Sequence, residues 1–222
     1  MNRIPMTRIL LSINTAVFMI MTFYGVHSME GLIAWGANYG PLTTQGEWWR
    51  LGSAMFIHIG FIHLFFNMLA LWNLGLIVES SMGTLAFTVV YVLSGLAGSI
   101  MSVTWHPHAV SAGASGAIFG LFGGMIGLLF RRYLISGVAI GGGVIRSLLM
   151  NILLNLGISM LPGIDLAAHA GGLLAGLVLG LIIDPEPRRE NWWQHPLMIA
   201  LYGSSLLAVA FAFVPKAIGG ND

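Results

Sequence analysis

Ala112-Gly113-Ala114-Ser115-Gly116-Ala117-Ile118-Phe119-Gly120 sits where a short polar loop, Thr104 to Ser111, gives way to a run of apolar and small residues that lasts to Phe130. With Arg131-Arg132 closing it, the run reads as a helix of about 16 residues, or ~24 Å at 1.5 Å per residue. A bilayer's hydrocarbon core is ~30 Å thick. A helix that short, with its arginines at one surface, holds Ser115 below the other. Ser115 then stands at a helix N-terminus among residues too small to crowd it. The free N–H groups of the first turn point toward any negative charge that develops there.

The rest of the chain has the same character. Apolar residues make up 57% and charged residues 8%, where a soluble domain carries about 25% charged residues. The fold class expected is therefore all-α, a polytopic membrane helix bundle. There is no cysteine, which excludes disulfides, a thiol nucleophile and a thiolate metal site. A net charge of +1 gives no reason to expect nucleic acid.

Seven spans follow from hydropathy. The first is Leu10 to Val26, behind Arg3, Pro5 and Arg8; no small-x-small cleavage site follows it, so it is kept as a helix and not a signal peptide. From His27 to about Gly52 the density of Trp35, Tyr39, Trp48 and Trp49 suggests a segment lying at the membrane–water interface. The second span, about Ser53 to Val78, carries His58, His63, Asn67 and Asn73 and ends at Glu79-Ser80-Ser81. The third is about Leu85 to Val103, the fourth Ser115 to Phe130, and the fifth about Val144 to Leu161 between Gly-rich and Pro-Gly joints. The sixth, about Leu166 to Ile183, begins with His169 and carries Gly172, Gly176 and Gly180; the seventh is about Pro196 to Val214. Residues 1–222 are read as one membrane domain. With the N-terminus inside, the inner segments hold Arg3, Arg8, Arg131, Arg132, Arg146, Arg188 and Arg189, against Arg50 and Lys216 outside. Ser115, the start of the His169 helix and the outer end of the second span then share the outer side.

Strongly polar groups at membrane depth are functional hypotheses by default. The bland alternative is that they hold helices together by hydrogen bonds of about 0.6–2 kcal/mol each. His63 and Asn67 are four apart on one helix face and suit an oxyanion site; Asn73, Asn151 and Asn155 read as interhelical glue. For Ser115 alone, packing is the commoner meaning of a Gly-x-Ser-Gly string in a membrane helix. The string is not a nucleophile elbow either, since Ala117 stands where that motif needs glycine. Its company raises it: a helix start, His169 on the same side, and donors at His63 and Asn67. Small residues around His169 permit close helix contact. Phe119, one turn below Ser115, is placed to stack under the imidazole. Asp165 is the carboxylate nearest to His169 in sequence and reads as solvated at a helix start. His58 and His63 do not match a zinc motif, being five apart with no glutamate after His58. Neither a metal nor a cofactor is expected.

These residues resemble the rhomboid intramembrane serine proteases. The likeness covers about Trp48 to Ile183 and rests on Trp49-Arg50, His58 with His63-x-x-x-Asn67, Gly113-Ala114-Ser115-Gly116 and Ala168-His169-Ala170-Gly171-Gly172. It implies Ser115 as nucleophile, His169 as general base, and His63, Asn67 and the Ser115 backbone N–H as the oxyanion site. His58, Gly113, Gly116 and Phe119 would support the site, and Glu79 would be structural. The Trp49-Arg50 loop would lie partly in the outer leaflet. The fold implied is a six-helix core plus a seventh C-terminal helix, without the large soluble N-terminal domain of some members. The substrates implied are single-span membrane proteins with small or helix-breaking residues near the cut, reached from the outer face. The expected place is the bacterial inner membrane, N-terminus cytoplasmic, and the fifth span is the expected gate. Two other functions fit the composition: a non-proteolytic rhomboid-like binder of membrane clients, and a small transporter. The chain shows no inverted repeat and few intramembrane charges, which weighs against transport.

Overall fold

The structure, a computed structural model, describes residues 4–137, 141–143, 146, 150 and 165–183. The expected seventh span lies outside the described residues, as does the fifth apart from positions 146 and 150.

Helix α1 is Pro5–Phe23. It begins five residues before the expected Leu10 because two things favour an early start. Pro5 pre-sets the helical φ, and a distant carboxylate takes up the first-turn donors. Glu79 accepts from Met6 N at 3.0 Å, Thr7 N at 2.8 Å and Thr7 Oγ1 at 2.6 Å, and from Thr84 Oγ1 at 2.8 Å. An anion at a helix N-terminus is the favourable end of the dipole. Glu79 itself is buried on α5, Gly60–Met82, which runs past the expected Val78 and stops at Gly83, φ +81°. Glu79→Ala is expected to lower stability by about 2–4 kcal/mol, since it strands the two buried donors of Thr7 and two part-buried ones. A melting curve in detergent identical to the parent's would overturn this account of the α1 anchor.

The segment between α1 and α5 folds on itself more than an interfacial ribbon would. It holds α2 (Met29–Ala34), a two-residue strand β1 (Asn38–Tyr39), and the short helices α3 (Gly40–Thr43) and α4 (Arg50–Ser53). A 3-10 turn, Ala54–Phe56, follows. The Arg50 guanidinium is buried at its centre. It donates to the carbonyls of Ile33 and Ala37, pairs with Glu47, and lies over the Trp49 ring. Trp48 is half exposed at the edge of this knot. Because Arg50–Phe56 form these elements, His58 lies in the link before α5 and not on the second span as the hydropathy pattern has it.

Helix α6 is Thr84–Trp105, and β2 (Val110–Ser111) pairs antiparallel with β1, Asn38 opposite Ser111. Helix α7 is Ser115–Ser136, 22 residues and not 16. Arg131 and Arg132 do not end it because both find carbonyls: Arg131 donates to Ile183 O at 2.9 Å and Arg132 to Ser81 O at 3.3 Å. At ~33 Å α7 is long enough to span, so a short helix is not what sets the depth of Ser115. Helix α8 is Leu166–Ile182.

Helices α1, α5, α6 and α7 are each long and apolar enough to cross a membrane. The contacts of Glu79, Arg131 and Arg132 gather the start of α1 and the ends of α5, α7 and α8 at one end of the bundle. Ser115 and His169, at the starts of α7 and α8, lie toward the other. Phe87, Tyr91, Leu71, Leu74, Ile118 and Phe122 fill the interior between.

Candidate active site

Ser115 is the first residue of α7. The turn before it is held from two sides. Gly113 N donates to Ala54 O at 2.9 Å, and Ala114 N reaches His58 Nε2 at 3.5 Å. Burial pushes the His58 imidazole down to about 3, with His63 adding to the shift, so it meets that N–H as a neutral acceptor. Gly113 has φ +133°, a left-handed conformation suited to glycine. A Cβ there would also lie 2.8 Å from His63 Cε1. Glycine therefore supplies both the turn and the space in which His63 approaches Ser115.

The first intrahelical bond of α7 is Ile118 N to Ala114 O. The N–H groups of Ser115, Gly116 and Ala117 precede it and are left over by helix geometry. All three residues wall a cavity of about 330 Å³, together with His63, Met55, Ile59, Phe66, Ser99, Val110–Gly113, Asp165 and Ala168.

His169 enters from the first turn of α8. Asp165 caps that helix, its Oδ1 accepting from Ala168 N at 2.9 Å. His169 is 6% exposed, and its ring stacks on Phe119 with centroids 4.3 Å apart and planes 16° from parallel. Its Nε2 lies 2.8 Å from Ser115 Oγ. The meeting depends on how closely α7 and α8 approach. A Cβ on Gly172, Gly176 or Gly180 would run into the carbonyl oxygen of Gly116, Gly120 or Gly124 respectively. Three contacts at a four-residue period lock one register, and that register sets His169 against Ser115.

The oxyanion candidates differ from one another. His63 Nδ1 accepts from Ile59 N at 3.4 Å, so its proton belongs on Nε2. A Cβ at position 113 would lie 3.1 Å from that nitrogen and 3.8 Å from Ser115 Oγ, which places the two close together. Asn67 Nδ2 donates to the His63 carbonyl one turn back at 2.9 Å, and Asn67 is not among the described residues that wall the cavity. Asp165, expected in solvent, is half-buried against that cavity.

A family model for the rhomboid domain matches residues 45–186. The chain is 36% identical over 190 residues to Rhomboid protease GluP of Bacillus subtilis (strain 168), covering 86% of this chain and 36% of that protein. It is 39% identical over 155 residues to RHOMBOID-like protein 5 of Arabidopsis thaliana, covering 69% of this chain and 50% of the relative. Against Rhomboid-like protease 1 of Toxoplasma gondii the identity is 35% over 191 residues, 83% of this chain and 63% of that one. The chain thus spans between about a third and two thirds of the length of these relatives.

Proposed function

The chain belongs to the rhomboid family, and from that premise we propose that it is an intramembrane serine protease in which Ser115 and His169 cut transmembrane segments of other membrane proteins near the outer face. The observation that carries the proposal is the 2.8 Å approach of His169 Nε2 to Ser115 Oγ on the wall of a cavity. As Oγ bonds to the substrate carbonyl carbon, its proton passes to Nε2 and the carbonyl π pair moves to oxygen. Collapse breaks the C–N bond, and the same proton goes to the leaving amine. Water then attacks the ester, gives a proton to His169, and Oγ recovers it. The N–H groups of Ser115, Gly116 and Ala117, with His63 Nε2–H, are the donors that face the developing oxyanion.

A substrate helix hides its carbonyls in its own hydrogen bonds, so the segment cut must unwind locally. Helix-weakening residues in a single-span partner favour that. The protein is a multi-pass membrane protein. We place the start of α1, which shares its end of the bundle with Arg131 and Arg132, on the cytoplasmic side. The membrane we infer is the bacterial inner (cell) membrane, by likeness to the Bacillus relative, which matches 86% of this chain.

The proposal is tested by incubating the reconstituted protein with a fluorophosphonate probe and, separately, with a model single-span substrate. Probe on Ser115 and a cut inside the apolar segment are expected. Label without a cut would favour a client-binding protein, and neither would end the protease reading. Within the site, His63→Ala is expected to lower kcat about 100- to 1000-fold, the usual loss for one oxyanion donor. Asn67→Ala is expected to cost less, roughly ten-fold, because its amide already serves the His63 carbonyl. Equal losses in the two variants would reject that ranking.

A further inference from the structure

We propose that Asp165 is a positioning residue for the base, its carboxylate holding negative charge beside His169 and steadying the imidazolium formed when Ser115 gives up its proton. The proposal rests on Ser115 and His169 being the reacting pair.

The two carboxylate oxygens of Asp165 have different surroundings. Oδ1 accepts from Ala168 N and caps α8. Oδ2 is buried and has no hydrogen-bond partner among the described residues. A cap needs only one oxygen, and asparagine or serine would serve equally well. Burying a second, charged oxygen with no donor is unfavourable. It becomes useful if a positive charge develops nearby in a medium that screens poorly. His169 lies one turn on along the same helix, its backbone N–H 3.2 Å from the Asp165 carbonyl, and side chains four residues apart on a helix are neighbours.

The described residues seen at or beside the ring include no other carboxylate. From α5 comes His63, an imidazole whose Nε2–H is turned to the cavity. From α7 come Ser115 and Phe119, both uncharged. Ala97, Gly98 and Met101 of α6 pack on the start of α8, and they carry no charge. Asp165 is the carboxylate at the start of the helix that carries the base.

The test compares Asp165→Asn and Asp165→Glu in the full-length reconstituted protein, on one single-span substrate. Asparagine keeps the cap and removes the charge. It is expected to lower kcat on the order of 10- to 100-fold, what one weakly screened charge supplies at an effective dielectric of ~20, with KM and melting temperature held. Glutamate, which restores the charge, is expected to recover most of that loss. A parent-like kcat in Asp165→Asn would overturn the proposal. So would equal losses in the two variants, or a loss that follows a lowered melting temperature. Ser115→Ala, run in parallel, separates the two levels. Persistent cleavage there ends the Ser–His reading itself. An inert Ser115→Ala beside a fully active Asp165→Asn ends only the role of Asp165.

Discussion

Ser115→Ala is expected to melt like the parent and to cleave nothing measurable, a loss of at least about 10⁴-fold in kcat. Removing the hydroxyl takes one oxygen from a site where the backbone is fixed by Gly113, Ala114 and the helix start, so nothing else need move. His169→Ala is expected to lose as much, because neither member can do its step alone, and the double variant should be no worse than either single one. Binding should survive: a single-span substrate should still associate with the Ser115→Ala protein at a similar dissociation constant. The measurement is single-turnover cleavage in proteoliposomes with a pull-down of uncut substrate. Ordinary turnover by either variant would remove the dyad from the mechanism. Independent losses that multiply in the double variant would show that the two residues do not act together.

Gly176→Leu is expected to come next in size, although position 176 touches neither reacting group. A Cβ there drives into the carbonyl oxygen of Gly120, which is backbone inside a helix and cannot rotate away. The two helices must separate or slide, and either motion shifts His169 relative to Ser115. Misplacement by about 1 Å costs on the order of 100-fold in rate. Overpacking adds about 1–3 kcal/mol of instability. The control is Leu174→Ala on the exposed side of α8, expected to leave both rate and melting nearly unchanged. A Gly176→Leu protein that cleaves at the parent's rate would show that the α7–α8 seam does not set the site.

Much of this was legible along the chain, and the misses have physical causes. Helix existence came from composition, because lipid penalises charge and demands internally bonded backbone. Helix ends were misjudged wherever a polar side chain found a distant partner. Glu79 reads as a stop but sits inside α5, its carboxylate taken up by Met6, Thr7 and Thr84. Arg131-Arg132 likewise reads as the end of a run, while Ile183 O and Ser81 O let α7 continue to Ser136. His63 and Asn67 looked equivalent by spacing. Their difference lies in what each side chain meets, the Ile59 N–H in one case and the His63 carbonyl in the other.

By itself, then, the sequence determined that the chain lives in a bilayer as a helix bundle, and it named the hydroxyl and the imidazole worth watching. Both follow from local chemistry: which residues lipid tolerates, and which small residues leave a helix start open. It could not decide that Ser115 and His169, 54 residues apart, meet at hydrogen-bonding distance. That was decided by the glycine seam between α7 and α8, where the absence of side chains lets two backbones touch in one register. Nor could it decide that Asp165, at a helix start, would be half-buried against the cavity that Ser115 walls. Burial and register are sums over many distant contacts, and only the folded arrangement evaluates them.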